Sequence, residues 1–307
     1  MTLLDASSDP SVWQQIGESI RRYGYAPEHN ASWYRCNGVE DGPHAPKGAR
    51  NVVARFPDKS CLLTLEEGKT IYVFSEPVAP LGHRVEALLE YLTHVLGLPG
   101  KEKVVLELES GLRKELLHAL GQGLAAHAIN YTLTWPVVDL GQFDPALPGG
   151  RMKHLRHARS KFYREHAVAV RDAREVDKDS LHTLIEAWRK KRGGKDRAYF
   201  SQYRAIVTNN FKGTESARAL MVDGRVAGLN AGWRIPNSHR YYGAIGLHNY
   251  SWPDLGSILY LEDLAWIKEH GYRHADMGGG EKALTKFKSQ FGPALCYKTH
   301  VFSITTQ

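Results

Sequence analysis

Two stretches of the chain carry the same succession of local signals, and this repetition constrains the fold more than any other feature. Each has a strand-like run, a loop with proline and glycine, an amphipathic helix and a second strand-like run. In the first stretch these segments are residues 70–74, Pro80-Leu81-Gly82, residues 83–96 and residues 103–108. In the second they are residues 240–245, Pro253-Asp254-Leu255-Gly256, residues 257–270 and residues 273–277. The repetition predicts an internal duplication of one α/β unit.

Turn signals indicate a mixed sheet with hairpins. Glu67-Gly68 separates two β-rich runs, and Asp223-Gly224 is of the type that closes a tight β-hairpin. Residues 27–47 are rich in glycine, proline, asparagine and histidine and are predicted to be loop. Further strands are predicted at residues 51–56, 61–65, 131–138, 217–222 and 226–235. Further helices are predicted at residues 10–23, 111–121, 151–166, 179–192 and around 201–210.

The expected fold is therefore of the α/β (α+β) class, with two similar units in tandem, each a mixed sheet flanked by helices. Residues 1–138 form the first unit and residues 151–307 the second, which carries the active site. Residues 139–150, DLGQFDPALPGG, are rich in proline and glycine and form the connector.

The amino-acid composition indicates which classes of protein this chain can belong to. Apolar residues make up 42% and charged residues 24% of the 307 positions, which is typical of a globular protein. No run approaches the about 20 apolar residues of a membrane-spanning helix, and the first residues lack the pattern of a secretory signal. Three widely spaced cysteines without a CxxC pair argue against a disulfide framework or a zinc site. We expect a soluble, cytoplasmic protein without a metal.

Positive charge is concentrated in the middle of the chain. The net charge is +7, and between Arg151 and Lys212 there are 17 Lys/Arg against 7 Asp/Glu, so the rest of the chain is slightly acidic. This distribution favours a polyanionic partner such as a nucleic acid or a nucleotide phosphate. The residues predicted to contact phosphates are Lys153, Arg156, Arg159, Arg164, Arg189, Lys190, Lys191 and Arg192.

Purely structural roles would explain these basic residues equally well. On a helical wheel Arg159 falls inside the apolar stripe of Met152, Leu155, Phe162 and Tyr163, where it needs a partner. An internal salt bridge would supply one and leave the remaining cations as a solvated face. The basic run from Arg189 to Arg192 also suits the C-terminus of a helix, because it complements the helix dipole.

The segment from His274 to Pro293 is the most specific. A predicted strand ends in Gly278-Gly279-Gly280, where the backbone can approach a substrate, and a short basic helix follows. A lysine held at such a point can stabilise the negative charge of a tetrahedral intermediate. Alternatively, the glycines make a tight turn and the lysines are solvated. The loop Pro253–Gly256 could hold an anion at a helix N-terminus, but it has a single glycine and lacks the R/Q-x-x-G-x-G/A pattern that holds coenzyme A.

Three motifs carry a resemblance to a known family. The ending Phe287-Lys288-Ser289-Gln290-Phe291-Gly292-Pro293 resembles the F-K-x-x-F-G-P ending of the Fem-type peptidoglycan aminoacyltransferases. Ser75-Glu76-Pro77-Val78-Ala79-Pro80 resembles a strand ending in the catalytic domain of phosphatidylglycerol lysyltransferases, the DUF2156 group. A block that joins the two halves of that domain is similar to Val138-Asp139-Leu140-Gly141-Gln142-Phe143 and Leu155-Arg156-His157-Ala158-Arg159.

The resemblance implies two GNAT-like units in tandem and transfer of an aminoacyl group from aminoacyl-tRNA to an amine or hydroxyl. The acceptor would be a small molecule, a peptide or a lipid. No cofactor is expected. The lysyltransferases usually carry a multi-pass membrane portion that has no counterpart here, which makes a lipid acceptor less expected than a soluble one.

The resemblance also implies roles for residues of the second unit. Lys288, and less so Lys286, would stabilise charge at the ester, while Asp276 and Glu281 would orient the amino group or take a proton. The residues expected to bind substrate are Arg234, Tyr242, Gly278, Gly279, Gly280 and Lys286. Two alternatives stay open: an acyl-CoA-dependent N-acyltransferase, and a non-catalytic RNA-binding protein with a degenerate transferase fold.

Overall fold

A computed structural model describes residues 1–6, 9–37, 50–192 and 200–307. The described residues form one mixed sheet of 13 strands, in the order β1-β2-β3-β4-β5-β13-β7-β12-β11-β10-β9-β8, with β6 beside β13. The strands are β1 Thr2–Asp5, β2 Arg50–Arg55, β3 Cys61–Glu67, β4 Thr70–Val73, β5 Lys103–Glu109, β6 Leu124–Ala126, β7 Tyr131–Asp139, β8 Val168–Asp172, β9 Ser216–Val222, β10 Arg225–Arg234, β11 Arg240–His248, β12 His274–Asp276 and β13 Leu295–Thr306.

The described helices cover both faces of this sheet. They are α1 Pro10–Tyr23, α2 Ala31–Asn37, α3 Arg84–Leu96, α4 Ser110–Ala119, α5 Lys153–Glu165, α6 Lys178–Arg192, α7 Phe200–Thr208, α8 Leu255–Glu269 and α9 Lys282–Ser289. Helices α3 and α4 pack on one face of the first half, and α8 packs on the same face of the second half. Helices α6 and α7 cover the opposite face, above Trp135 and Tyr242. None of the described helices is both long and apolar enough to cross a membrane.

The expected duplication is visible in the strand directions. Strand β4 leads through α3 to β5, and β11 leads through α8 to β12. These βαβ units make the parallel pairs β4–β5 and β11–β12, whereas the other named pairs between described strands are antiparallel. The predicted mixed α/β fold is therefore confirmed. The boundaries at residues 138 and 150 stay a prediction.

The two halves exchange their last strands. Strand β7, which follows the first βαβ unit, pairs with β12 of the second half, and β13, which follows the second unit, pairs with β5 of the first. Strands β7 and β13 pair with each other over seven residues, from Leu295↔Val137 to Val301↔Tyr131. The centre of the sheet is thus built from chain segments that lie about half the chain length apart in sequence.

Both predicted turns are confirmed, and several segments differ from the prediction, among them the short strands β1, β6 and β8. Gly68 and the pair Asp223-Gly224 have positive φ, as tight hairpins require. The predicted loop over residues 27–47 contains α2 at Ala31–Asn37, because the helix buries Trp33 and Cys36 in the core; residues 38–47 lie outside the described residues. Strand β13 was not predicted, although it is central.

Candidate functional site

Asp276 lies at the end of β12 and is 1% exposed. Its Oδ2 accepts hydrogen bonds from the Arg240 guanidinium at 3.0 Å and from the Tyr297 hydroxyl at 2.8 Å. Its Oδ1 accepts the backbone N–H of Gly278 at 3.0 Å. Burial raises the pKa of Asp276, and these hydrogen bonds and the charges of Arg240 and Lys288 oppose that rise.

Lys288 projects from α9 into the interior and is 3% exposed. Its Nζ donates to the carbonyl oxygen of Gly278 at 2.9 Å. Loss of solvent lowers the pKa of this ammonium group to about 8, and the nearby charge of Asp276 opposes the shift. The predicted charge-stabilising lysine is thus buried beside the predicted carboxylate, with a pKa near the physiological range.

The three glycines join these two residues and pack tightly against the protein. Gly278 has a φ of 79°, which favours glycine, and its peptide unit contacts both Asp276 and Lys288. A Cβ on Gly279 would lie 2.7 Å from Cε2 of Trp135. Gly280 exchanges two backbone hydrogen bonds of 3.0 Å with Thr134 on β7. The segment therefore needs glycine for close contact with β7.

Aromatic rings line the face of the sheet next to this segment. Trp135 stacks on Tyr297, with centroids 5.6 Å apart and planes at 15°, and lies 5.9 Å from Tyr242. Tyr242 contacts Trp233 at 5.2 Å. Charges in such low-dielectric surroundings act more strongly than in water. The cluster of Asp276, Lys288 and their neighbours can therefore polarise a carbonyl group and move a proton.

A groove of about 540 Å³ borders the C-terminal end of α9. It runs between the outer face of α5 and the N-terminus of α8, and reaches the end of α9 at Gln290. Its side chains are mostly basic or polar: His154, His157, Ser160, Lys161, Arg164, Ser257 and Gln290. Cations and free helix N–H groups suit a phosphate-bearing ligand.

Comparisons with known proteins address the fold. Residues 149–289 match the family described as acetyltransferase (GNAT) domain. No curated protein matches the sequence significantly. Among solved structures, the chain is similar to the C-terminal DUF2156 domain of a putative lysylphosphatidylglycerol synthetase from Agrobacterium fabrum, with a TM-score of 0.67, 14% identity, and coverage of 96% of this chain and 91% of that one.

Two further solved structures agree. L-PGS from Bacillus licheniformis gives a TM-score of 0.68 at 14% identity and covers 97% of this chain and 91% of its own. FemX gives a TM-score of 0.61 at 11% identity and covers 99% of this chain and 97% of its own. The chain has a GNAT fold. The resemblance to DUF2156 and Fem-type proteins is thus confirmed for the architecture, and identities this low speak to the fold alone.

The GNAT fold brings some of the predicted site residues together and separates others. Asp276, Lys288, Tyr242 and the three glycines meet at the end of β12. Glu281 and Lys286 are exposed on α9. Arg234 is exposed at the end of β10, where its Nε donates to the carbonyl oxygen of Ser238. The arginine that reaches Asp276 is Arg240, which sequence reasoning missed.

The predicted phosphate-contacting residues also divide into two sets. Arg156 donates to the carbonyl oxygens of Leu147 and Gly149, and Arg159 donates to that of Pro145 at 2.6 Å. Arg159 thus has an internal partner, a backbone carbonyl rather than the expected carboxylate. Lys153, Arg164, Arg189, Lys190 and Lys191 are exposed, and the Arg189 guanidinium lies 4.3 Å from the Phe200 ring centroid. Their binding to tRNA stays a prediction.

Tyr163 departs from the predicted apolar stripe of α5. It is 42% exposed and its hydroxyl donates to Glu262 at 2.7 Å, whereas Leu155 and Phe162 are buried as expected. The stripe on α5 is therefore narrower than predicted. More of the helix surface is left to its polar and basic residues.

Two acidic residues near the cluster carried no sequence signal. Glu107 lies on β5 and Glu28 in the loop after α1, and both are half-buried. Burial raises the pKa of both carboxyl groups, and Glu107 raises that of Glu28 further by repulsion. The two come from distant parts of the chain, so only the folded structure places them together.

Proposed function

We propose that the protein is an aminoacyltransferase that takes an amino acid from aminoacyl-tRNA and gives it to an amine or hydroxyl group, with Lys288 and Asp276 at the reacting centre. The observation that carries the proposal is the buried Lys288 ammonium against the glycine segment, at the end of the helix that also borders the basic groove. The resemblance of Phe287–Pro293 to the Fem-type ending supports the choice of an aminoacyl donor.

An aminoacyl ester is already activated, so its transfer needs orientation, charge stabilisation and proton removal. The acceptor N–H or O–H attacks the ester carbonyl, the new bond forms, and the bond to the tRNA ribose oxygen breaks. Lys288 stabilises the negative charge that develops on the carbonyl oxygen, acting through a low-dielectric interior. Asp276 takes the proton that the attacking group loses and passes it to the departing ribose oxygen. Arg240 and Tyr297 hold Asp276 in place.

The groove along α5 supplies a surface for the acceptor stem of tRNA. Its cations come from α5, and the N-terminus of α8 adds N–H groups. Phosphate contacts give affinity without reading sequence, which suits recognition of an acceptor end. The same groove would also suit the phosphates of an acyl-CoA, and the match to the acetyltransferase (GNAT) domain keeps that donor as the second candidate.

Labelled aminoacyl-tRNA distinguishes the donors. The purified protein is incubated with tRNA charged with a mixture of labelled amino acids, with and without RNase, and in parallel with labelled acetyl-CoA. Release of label from tRNA into a smaller product, abolished by RNase, supports the proposal. Transfer from acetyl-CoA alone contradicts it, and binding of tRNA without release identifies an RNA-binding protein instead.

A matched pair of variants tests the role of Lys288. Lys288→Met keeps the aliphatic chain and removes the charge, and we expect transfer to fall by about 100-fold, as for loss of a single oxyanion donor. Lys282→Met removes an exposed lysine from the start of the same helix and should transfer like the wild type. An unchanged rate with Lys288→Met would remove this residue from the mechanism.

A further inference from the structure

The face of the central sheet next to Asp276 holds a second polar cluster that the transfer chemistry does not use. Glu107 on β5 accepts a hydrogen bond of 2.5 Å from the hydroxyl of Thr299 on β13. The Thr299 hydroxyl in turn accepts one of 2.9 Å from the indole N–H of Trp135 on β7. A continuous chain of hydrogen bonds therefore fixes this carboxylate beside the Trp135 ring.

Glu28 approaches the same place from the loop after α1. The indole N–H of Trp233 donates to the carbonyl oxygen of Pro27 at 2.8 Å, which fixes the loop one residue earlier. The side chain of Trp33 lies beside the Glu28 carboxylate. Glu28 and Glu107 lie close enough to repel each other. Two like charges held together by other parts of the fold are costly unless a cation joins them.

Four aromatic rings form a continuous row, from Trp33 beside Glu28 to Trp135 near Glu107. The ring centroids are 5.6 Å apart for Trp33 and Trp233, 5.2 Å for Trp233 and Tyr242, and 5.9 Å for Tyr242 and Trp135. The faces of tryptophan and tyrosine rings attract ammonium ions, and the attraction grows when water is excluded. Carboxylates and aromatic faces together are the surroundings that an organic ammonium ion prefers.

Tyr242 adds a hydroxyl group to this part of the sheet face. It is 6% exposed, and no described residue hydrogen bonds its hydroxyl. Burial raises the pKa of this phenol, and the charges of Glu28, Asp276 and Glu107 raise it further. This hydroxyl is therefore available to hydrogen bond with a bound polar group.

We propose that a subsite for the protonated amino group of a substrate is formed by Glu28, Glu107 and Tyr242. The indole side chains of Trp33, Trp135 and Trp233 form its wall. The inference rests on the proposed function in that it assigns a substrate chemistry to the transfer site. The subsite adjoins the reacting centre, because Trp135 and Tyr242 also contact Gly279 and Gly278. A Cβ on Gly278 would lie 3.5 Å from the Tyr242 ring.

The ammonium group can belong to either of two reactants. An aminoacyl donor carries one next to its ester carbonyl, and an amine acceptor carries one before it is deprotonated. Both have the same chemistry at this subsite. Three probes separate them: alaninamide mimics the donor, n-propylamine mimics a simple acceptor, and N-acetylalaninamide has no charge.

Titration of the full chain with these probes tests the subsite without turnover. Tryptophan fluorescence reports binding, since three indoles form the wall, and calorimetry confirms it. We expect saturable binding of alaninamide, of n-propylamine or of both, and none of N-acetylalaninamide. Binding of alaninamide assigns the ammonium group to the donor, and binding of n-propylamine assigns it to the acceptor. Absence of binding by both amines, or equal binding of the uncharged amide, overturns the inference. The transfer assay is independent, so failure here leaves the proposed function standing.

Isosteric variants assign the binding to the acidic pair. Glu28→Gln and Glu107→Gln should each weaken amine binding by about tenfold or more, because a charge-assisted hydrogen bond is lost. Glu269→Gln, at an exposed position at the end of α8, is the matched control and should bind like the wild type. Relief of the repulsion should leave the melting temperature of the two variants unchanged or higher. Unchanged amine affinity, or a melting temperature lowered in both, would show that the pair is structural.

Discussion

Lys288→Met is expected to make the protein more stable and less active at the same time. The pKa of Lys288 falls from its ordinary 10.5 to about 8, and each unit corresponds to about 1.4 kcal/mol, so the buried ammonium is disfavoured by about 3 kcal/mol at pH 7. Methionine removes this cost but leaves the Gly278 carbonyl without its donor, which costs about 1 kcal/mol. The net gain is about 2 kcal/mol in the free energy of unfolding.

The pH dependence of this gain identifies its origin. Between pH 8 and pH 10.5 the folded protein binds fewer protons at Lys288 than the unfolded chain, so the stability of the wild type rises with pH across this window. The advantage of the variant should therefore shrink as pH rises from 8 to 10.5. Urea titrations of both proteins at several pH values measure it. If the variant is less stable than the wild type at pH 7, Lys288 stabilises the fold and the reasoning is refuted.

Two further predictions concern the glycine segment and the groove. Gly279→Ala places a methyl group 2.7 Å from Trp135 and should lower the free energy of unfolding by about 1–3 kcal/mol, measured by thermal melts. The control variant Gly17→Ala on α1 places a methyl group that meets nothing within 4 Å, and it should stabilise the protein slightly. Equal effects of the two variants would contradict the close packing of Gly279. The double variant Lys161→Gln/Arg164→Gln should reduce the slope of log affinity for tRNA against log salt by about 1.8, because two contacts to a duplex stem are lost. Filter binding at several salt concentrations measures the slope, and an unchanged slope would remove α5 from the interface.

Local signals predicted the parts of the fold that depend on local chemistry. The hairpin at Asp223-Gly224 follows from residues that tolerate positive φ, and the two βαβ units follow from the alternation of strand and helix patterns. Helix α2 was missed because its stability comes from packing against α7 rather than from propensity. Strand β13 has β-branched and aromatic residues that would have supported a strand prediction, but its place at the centre has no local signal.

The candidate site shows the same division. Asp276 and Lys288 lie within the single segment from His274 to Pro293, so their proximity was predictable from the sequence. Arg240 and Tyr297 reach Asp276 from separate strands, and their pairing depends on the register of the sheet. The Glu28–Glu107 pair could not be predicted from the sequence, because it joins a loop before the first hairpin to an inner strand of the sheet.

The exchange of β7 and β13 ties the order of synthesis to the order of folding. Strand β5 is complete after residue 109, but its neighbour β13 begins only at residue 295. Until those later residues have left the ribosome, β5 keeps an open edge whose N–H and C=O groups can pair with another nascent chain. The first half cannot close its own sheet and must wait for the second. We therefore expect this chain to fold slowly, because the contacts that finish the first half join segments far apart in sequence.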